Sequence, residues 1–283
     1  MTLIDPRASS HFLPLLPDVI GRAFKPDLLE YPFVRAARRW GFSFVQAEVS
    51  AVDFSARLIV AGACRIAYDF AVLAAGATTS FFGRDDLRSA VFTLDSVDEA
   101  RRLAQAVDTG AHEHFVIVGG GYTGIEAATS IRRRSARLRR VPGIHIIDVA
   151  DGILGSLPEC FRRYALANLG RMGIEALPKR SLERIEGDAA VLSCGTRYDH
   201  ACVVWVTGRE TPRLIASLPV AKDRQGRLIV DGHLRVNERC FAAGDAAHVG
   251  HAGRPLRMSV QFSLSQGVHA ARSILRARAG RPP

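Results

Sequence analysis

Lysine is nearly missing from this 283-residue chain. It stands only at Lys25, Lys179 and Lys222, so a net charge of +10 is carried by arginine. Cysteine is sparse and unpaired. Cys64, Cys160, Cys194, Cys202 and Cys240 are scattered without C-x-x-C or C-x-x-x-x-C spacing, which excludes a redox disulfide and leaves zinc binding without support. A chain of this kind is expected in a reducing, cytoplasmic compartment. Long apolar runs are also lacking: "FAVLAAGA" and "ACVVWV" have the length of buried strands, far short of the roughly 18 apolar residues that span a membrane. Asp5 and Arg7 interrupt the opening residues, which therefore do not read as a signal peptide. No Ser/His/Asp or Cys/His constellation is visible, so nucleophilic catalysis by side chains is not expected.

Hydrophobic residues make up 48% of the chain, enough at this length for one large domain or two moderate ones. The densest arginine run, "IRRRSARLRR" from Ile131 to Arg140, reads as a solvated helix face. No aromatics are interleaved with it, so nucleic acid is not an expected partner, while contact with an anionic membrane surface stays open.

Three stretches share one theme, a strand running into glycine: "YDFAVLAAGATT", "HFVIVGGGYTGIEAA" and "VNERCFAAGDAAHV". Helical patterns lie between them. "SVDEARRLAQAV" has Ser96 as N-cap and Glu99 as its capping-box partner, and the stretch from Pro158 to Gly170 puts Phe161, Tyr164, Ala165 and Leu169 on one stripe. Strands alternating with helices predict parallel sheets covered on both sides. "SLERIEGDAAVLSCGTRYDHACVVWVTG" differs: turns at Gly187-Asp188 and Gly195 predict an antiparallel ribbon, then a buried strand from Cys202 to Val206 and Gly208. The same order occurs about 130 residues earlier in "VSAVDFSARLIVAGACRIAYDFAVLAAG". Two copies of one ending imply two dinucleotide sites.

One glycine fingerprint is complete. Gly119, Gly121 and Gly124 have Gly-x-Gly-x-x-Gly spacing after the strand Phe115 to Val118, and a helix is predicted from about Tyr122. A second strand, "IHIID", ends at Asp148, placed to bind the adenosine ribose hydroxyls and to repel a 2′-phosphate, so NADH is expected over NADPH. Helix N–H groups would meet the pyrophosphate. The opening "TLID" reads as the second strand of another such fold, ending in the acidic Asp5.

Taken in order, "TLID", "HFLPLL", "YDFAVLAAGATTSFFG", "IVGGGYTGIEAA", "GRLIVDGHLRV" and "CFAAGDAA" resemble the FAD-dependent pyridine nucleotide oxidoreductase superfamily, and within it the type II NADH dehydrogenases. The resemblance implies an α/β fold of two Rossmann-like dinucleotide-binding domains, the NADH domain inserted into a discontinuous FAD domain: residues 1–94 and 211–283 for FAD, 95–210 for NADH. It implies hydride transfer from NADH to FAD and onward to an acceptor, quinone first, with homodimerisation and peripheral membrane contact at the inner face of the cell membrane as further features. Asp5 would hold the FAD ribose, Gly76 (between Ala75 and Ala77) would let backbone approach the flavin nucleotide, and Asp245 would bind its ribityl or pyrophosphate part. A helix starting near Ala246 would aim its dipole at the flavin pyrimidine edge. Gly208 would lie at the nucleotide, Glu126 near the nicotinamide, and Gln261 beside flavin and quinone. Two departures bear on this. Val260 and Ser265 replace an alanine and the second glutamine of the family's Ala-Gln-x-x-x-Gln segment, with Gln266 one residue late, which weighs against quinone. His248 and His251 form an H-x-x-H with no carboxylate or thiolate partner in pattern, so no metal is expected.

The family has a strand, a Gly-rich turn and a helix before "TLID", and continues past "GVHAARSIL". The expectation is therefore a chain shortened at both ends, with Met1 on the family's usual valine position and a true start upstream. The alternatives are a soluble NAD(P)H-flavin reductase serving another acceptor, such as an iron–sulfur protein, and a non-catalytic NADH-binding fragment.

Overall fold

The computed structural model describes residues 1–281 apart from Ala23 and Ala252; Pro282 and Pro283, with which the third expected segment ends, lie outside the described residues. The chain divides into two compact units. One comprises Ser10–Tyr31 and Thr79–Gly208; the other comprises Met1–Ser9, Pro32–Thr78 and the chain from Arg209 onward. Its seams differ from the expected ones: the middle unit starts at Thr79, and it takes in Ser10–Tyr31.

The middle unit is built on a parallel sheet of β1 (His114–Val118), β2 (Gly143–Asp148), β3 (Ile174–Pro178) and β4 (Ala201–Trp205), in the order β3-β2-β1-β4. Both faces are apolar, as a sheet covered on both sides requires. Successive side chains alternate between the faces. Phe115, Ile117 and Ile144 join the cluster that holds α1 (Leu16–Gly21), α2 (Val97–Thr109) and α3 (Tyr122–Arg137). Val116, Val118 and Trp205 face the antiparallel ribbon Leu182–Glu186, Ala189–Leu192 and Arg197–Tyr198, and Phe81 stacks on Trp205 at 5.5 Å.

Helix α2 is capped as its sequence predicts, with the Glu99 N–H donating to Ser96 Oγ at 3.2 Å. The Glu99 carboxylate returns to the Asp95 N–H at 2.7 Å, one residue beyond the expected partner. Helix α1 explains why Ser10–Tyr31 belongs here. Leu16 and Ile20 are fully buried, and a Cβ on Gly21 would lie 2.8 Å from Ser130 of α3. The arginine run is only in part a solvated face. Arg134 donates to both Asp108 oxygens at 2.6 Å and to the Ile20 carbonyl at 3.0 Å, Arg140 donates to the Asp108 carbonyl at 2.8 Å, and Arg132 donates to the Gly173 carbonyl at 2.9 Å. Helix α4 (Glu159–Arg171) forms where expected, but its stripe is not a core stripe: Phe161 and Tyr164 are 58% and 72% exposed, while Leu169 is buried.

At the end of the sheet where β1 begins, polar groups replace apolar ones. Glu175 of β3 accepts from His145 Nδ1 at 2.8 Å, and His145 Nε2 lies 3.1 Å from His114 Nδ1. An ionised carboxylate only accepts, so the neutral His145 carries its proton on Nδ1 and takes a hydrogen bond from His114 at Nε2. Tyr198 stacks on the His145 ring at 4.1 Å.

In the other unit, Thr2–Asp5 pairs in parallel with Ser43–Gln46, and Ala71–Leu73 with β5 (Cys240–Ala242). Its antiparallel ribbon, Val49–Asp53, Leu58–Ala61 and Cys64–Ala67, matches the one in the middle unit, as the repeated pattern predicts. Leu73, Ile215, Leu228, Ala242 and Ala246 form one core, and α5 (Val260–Arg278) places Ala270 against Phe241 in another. Among the described residues no α-helix starts near Ala246. Gly244–Ala246 is a 3-10 turn, and Ala247–His248 is a short strand paired with Leu228–Ile229. Burial of the Ala246 methyl in the core draws the chain into that pairing. Among the described residues no helix is long and apolar enough to cross a membrane.

Burial holds the His145 ring below its ordinary pKa of 6.5, with Glu175 offsetting this only in part. The unfolded chain therefore takes up a proton before the folded one does, and stability present above pH 6.5 is lost as pH falls below it. Urea denaturation between pH 8 and 5 should show this decline, and His145→Gln should flatten it.

Candidate functional site

In the middle unit, β1 ends at Val118, the chain turns through Gly119–Gly121, and α3 begins at Tyr122. Gly119 has φ +122°, which L side chains rarely adopt. A Cβ at Gly124 would overlap the Gly119 carbonyl oxygen, so glycine there sets how closely α3 seats on the strand. Above Gly121 no atom lies within 4 Å of the Cβ position. No side chain caps α3 and no acidic residue stands in its first turn, so its N-terminal N–H groups and positive dipole end are free to meet an anion.

Asp148, at the end of β2, faces this turn. Its Oδ2 accepts from the Gly120 N–H at 2.6 Å and its Oδ1 from the Ala150 N–H at 2.8 Å. A carboxylate has about four acceptor sites, so each oxygen keeps capacity for a hydroxyl. Gly120 carries part of this geometry, since a Cβ there would lie 3.0 Å from Asp148 Oδ2 and 2.9 Å from Ile153 Cγ2. The spacing rule passes over Gly120; its only signal in the sequence is the unbroken Gly119-Gly120-Gly121 run.

Glu126 is exposed one turn further along α3. Crowding by the surrounding protein, then the Asp18 carboxylate, raises its pKa. Gly208 has φ +73°, and a Cβ there would run into the Phe82 ring, so its immediate neighbour is a side chain of its own unit.

In the other unit, the parallel register Leu73↔Ala242 sets the carboxyl ends of Ala71–Leu73 and β5 side by side. Gly76 follows one strand and Gly244-Asp245 the other. Gly76 has φ +69° with open space where a Cβ would stand. The Asp245 carboxylate is half-buried and accepts no hydrogen bond among the described residues. Burial pushes its pKa above the usual carboxylate value, and Arg209 and Arg227 pull it back only in part. These two positions present an open backbone surface and an unused acceptor, which suits a polyhydroxylated nucleotide chain. Asp5 differs: Arg7 closes on it through Nε to Oδ1 at 3.0 Å and Nη2 to Oδ2 at 2.9 Å, and the Arg7 N–H takes Oδ1 at 2.9 Å. A ribose hydroxyl would have to share or displace that clasp.

Gln261 is exposed on α5. Gln266 is buried, and its Oε1 accepts from the Gly244 N–H at 2.7 Å. His248 has a carboxylate partner after all, Asp223, reached at 2.8 Å through a hairpin that brings Asp223 beside it. A small cavity beside the Gly244–Asp245 turn is lined by Arg227, Asp245, Ser259, Ser263 and Gln266; Asp245 is the sequence-predicted site residue among them, and Gln266 is the glutamine one position beyond the expected one.

A parallel sheet with a strand–glycine turn–helix entry and a facing acidic residue defines the Rossmann-like class of dinucleotide-binding proteins. Residues 23–272 match the pyridine nucleotide-disulphide oxidoreductase family, and the chain belongs to it. It is 32% identical over 251 residues to an NADH dehydrogenase-like protein of Mycobacterium tuberculosis, a match covering 83% of this chain and 63% of that protein. It is 27% identical over 298 residues to a demethylphylloquinone reductase of Synechocystis, covering 100% of this chain and 73% of the relative. The fold is shared with NDH2 of Plasmodium falciparum, solved in complex with NADH, at a TM-score of 0.77 and 18% identity over 87% of this chain and 59% of that one.

Gly124→Ala should cost about 3 kcal/mol or more, because backbone rather than a movable side chain blocks the added methyl. Urea denaturation followed by far-UV circular dichroism checks this.

Proposed function

We propose that the chain is an FAD-dependent NADH oxidoreductase that passes electrons from NADH through flavin to an acceptor, with quinone as the leading candidate. The observation that carries this reading is the β1–glycine turn–α3 entry facing Asp148. It presents open backbone, uncapped helix N–H groups and a carboxylate with spare acceptor capacity in the arrangement a dinucleotide requires. Asp148 binds the ribose hydroxyls of NADH, Gly121 admits the pyrophosphate, and Glu126 lies toward the nicotinamide. Gly76 and Asp245 hold the flavin nucleotide, with Asp5 adding its ribose contact once Arg7 yields. Bound FAD supplies the two-electron redox chemistry; the chain's own residues bind, align and exclude water. Kinship to proteins named NADH dehydrogenase-like and demethylphylloquinone reductase supports the donor and a quinone-type acceptor. The chain spans 63% of the first relative's length, so the whole relative's activity is carried to it as part of this proposal.

A second reading, a flavin reductase serving a non-quinone acceptor, is favoured by one observation: Gln261 faces solvent and Gln266 faces the Gly244 turn, so the two glutamines do not form one pair. Peripheral contact with an anionic membrane surface would fall to the exposed Arg133, Arg137 and Arg139, since Arg132, Arg134 and Arg140 are engaged within the unit.

The purified chain, incubated with FAD and desalted, should keep a flavin absorption band that bleaches on adding NADH. A colourless protein would reduce the reading to an NADH-binding fragment. Turnover with a quinone against a one-electron dye separates the two acceptor classes. Asp148→Ala should weaken NADH binding about tenfold, the worth of a hydrogen bond to a charged group, and narrow the preference over NADPH. Unchanged affinity for both nucleotides would remove Asp148 from the site.

A further inference from the structure

No aspartate or glutamate follows Asp245, while six arginines do, so more than half of the net charge of +10 lies in the last 38 residues. Helix α5 forms most of that stretch and contains no acidic residue. It meets the rest of its unit along one face only. Gln266, Ala270 and Ser273, spaced 4-3, are buried, with Gln266 bonded to the Gly244 N–H and Ala270 packed on Phe241.

At about 100° per residue, the opposite face carries Leu264, Val268, Ala271 and Leu275. This face is bare: Leu264, Val268 and Leu275 are 67%, 54% and 64% exposed, and Ala271 is exposed between them. Their 4-3-4 spacing is that of the a and d positions along one helix of a coiled coil. At a rise of 1.5 Å per residue the seam runs about 16 Å, or three turns. Gln261 lies at its amino end and Arg278 at its carboxyl end. Ser265 and Arg272 border one side, Gly267 and the half-buried Ile274 the other. Arg272 and Arg278 are exposed and make no ion pair among the described residues.

A lipid surface suits a broad apolar face, whereas this one is a narrow stripe with polar residues beside it and at both ends. A second copy would bring a matching seam but no carboxylate from its own α5 for Arg272 or Arg278. We infer that this face of α5 is the docking surface for an acidic amphipathic helix of another protein, with Leu264, Val268 and Leu275 as apolar anchors and Arg272 and Arg278 selecting carboxylates beside them. Three turns make a small interface, so the contact is transient. The arginines govern encounter and choice of partner more than the strength of the hold. The surface is independent of which nucleotides the chain binds.

The probes are two synthetic helical peptides with leucine at 4-3-4 spacing, alike except that one carries glutamate and the other lysine beside the leucines. Each is titrated against the 283-residue chain by fluorescence anisotropy. The glutamate peptide should bind saturably and the lysine peptide about tenfold more weakly or worse. Val268→Asp should weaken the glutamate peptide on the order of tenfold or more, as loss of a central anchor implies. Arg272→Glu combined with Arg278→Glu should invert the preference between the peptides. All three positions are exposed, so the circular dichroism spectra should match that of the unaltered chain. No saturable binding, equal affinity for the two peptides, or an unchanged preference in the folded double variant would overturn the proposal. Self-association in sedimentation equilibrium that Val268→Asp abolishes, without peptide binding, would overturn it in favour of a second copy. Binding to phosphatidylglycerol vesicles that Val268→Asp abolishes, again without peptide binding, would overturn it in favour of a lipid surface.

Discussion

Helix α3 reaches the parallel sheet only because nothing projects from the Gly124 α-carbon toward the Gly119 carbonyl. Much of the middle unit is referred to that contact. It fixes the height of α3 over β1, which lets Ala127, Ala128 and Ile131 bury completely, and α1 then closes on α3 at the bare surface of Gly21. The same contact aims the amino end of α3 over the strand ends, where Gly120 and Asp148 complete the turn. The packing of α3 and the geometry of the glycine turn thus depend on one missing methyl group.

The glycine spacing, the strand ending in Asp148 and the Ser96 cap were legible because each is local: the residues that make the feature lie within a few positions of one another. The two antiparallel ribbons were legible for the same reason, through their turns. What escaped the sequence depends on contacts between distant segments. Ser10–Tyr31 packs against α3, more than 90 positions away in sequence, which no periodicity announces. The stripe on α4 failed because helical spacing shows that residues share a face without showing what the face meets. Ala246 failed because a buried methyl and strand pairing overrode a helix signal. Of the candidate site residues, Gly119, Gly121, Gly124 and Asp148 converge on one turn, and Gly76 and Asp245 follow adjacent parallel strands. Gly208 abuts Phe82, and Gln266 rather than Gln261 turns inward.

The arginine-rich composition has a structural as well as an electrostatic side. Arg134 and Arg140 bind backbone carbonyls near the ends of α1 and α2, where helices leave acceptors unpaired, and Arg227 is held inside the other unit by the Asp223 carboxylate. Arg132 goes further, with Nε and Nη1 buried and unpartnered, and burial lowers its pKa. A planar fork of five donors can face both oxygens of a carboxylate and a carbonyl beyond it together, a geometry that the single nitrogen of a lysine does not match. The scarcity of lysine fits a chain that spends part of its positive charge on holding itself together.

The clasp of Arg7 on Asp5 has a consequence for ionic strength. A hydroxyl that displaces Arg7 at Asp5 enters by exchange with a guanidinium rather than by addition to an open carboxylate. The pair is near the surface, so dissolved salt loosens it, whereas a hydrogen bond from a neutral hydroxyl is little affected by screening. Occupancy of that contact would accordingly strengthen as salt rises, opposite to the behaviour of a site that attracts its ligand by charge.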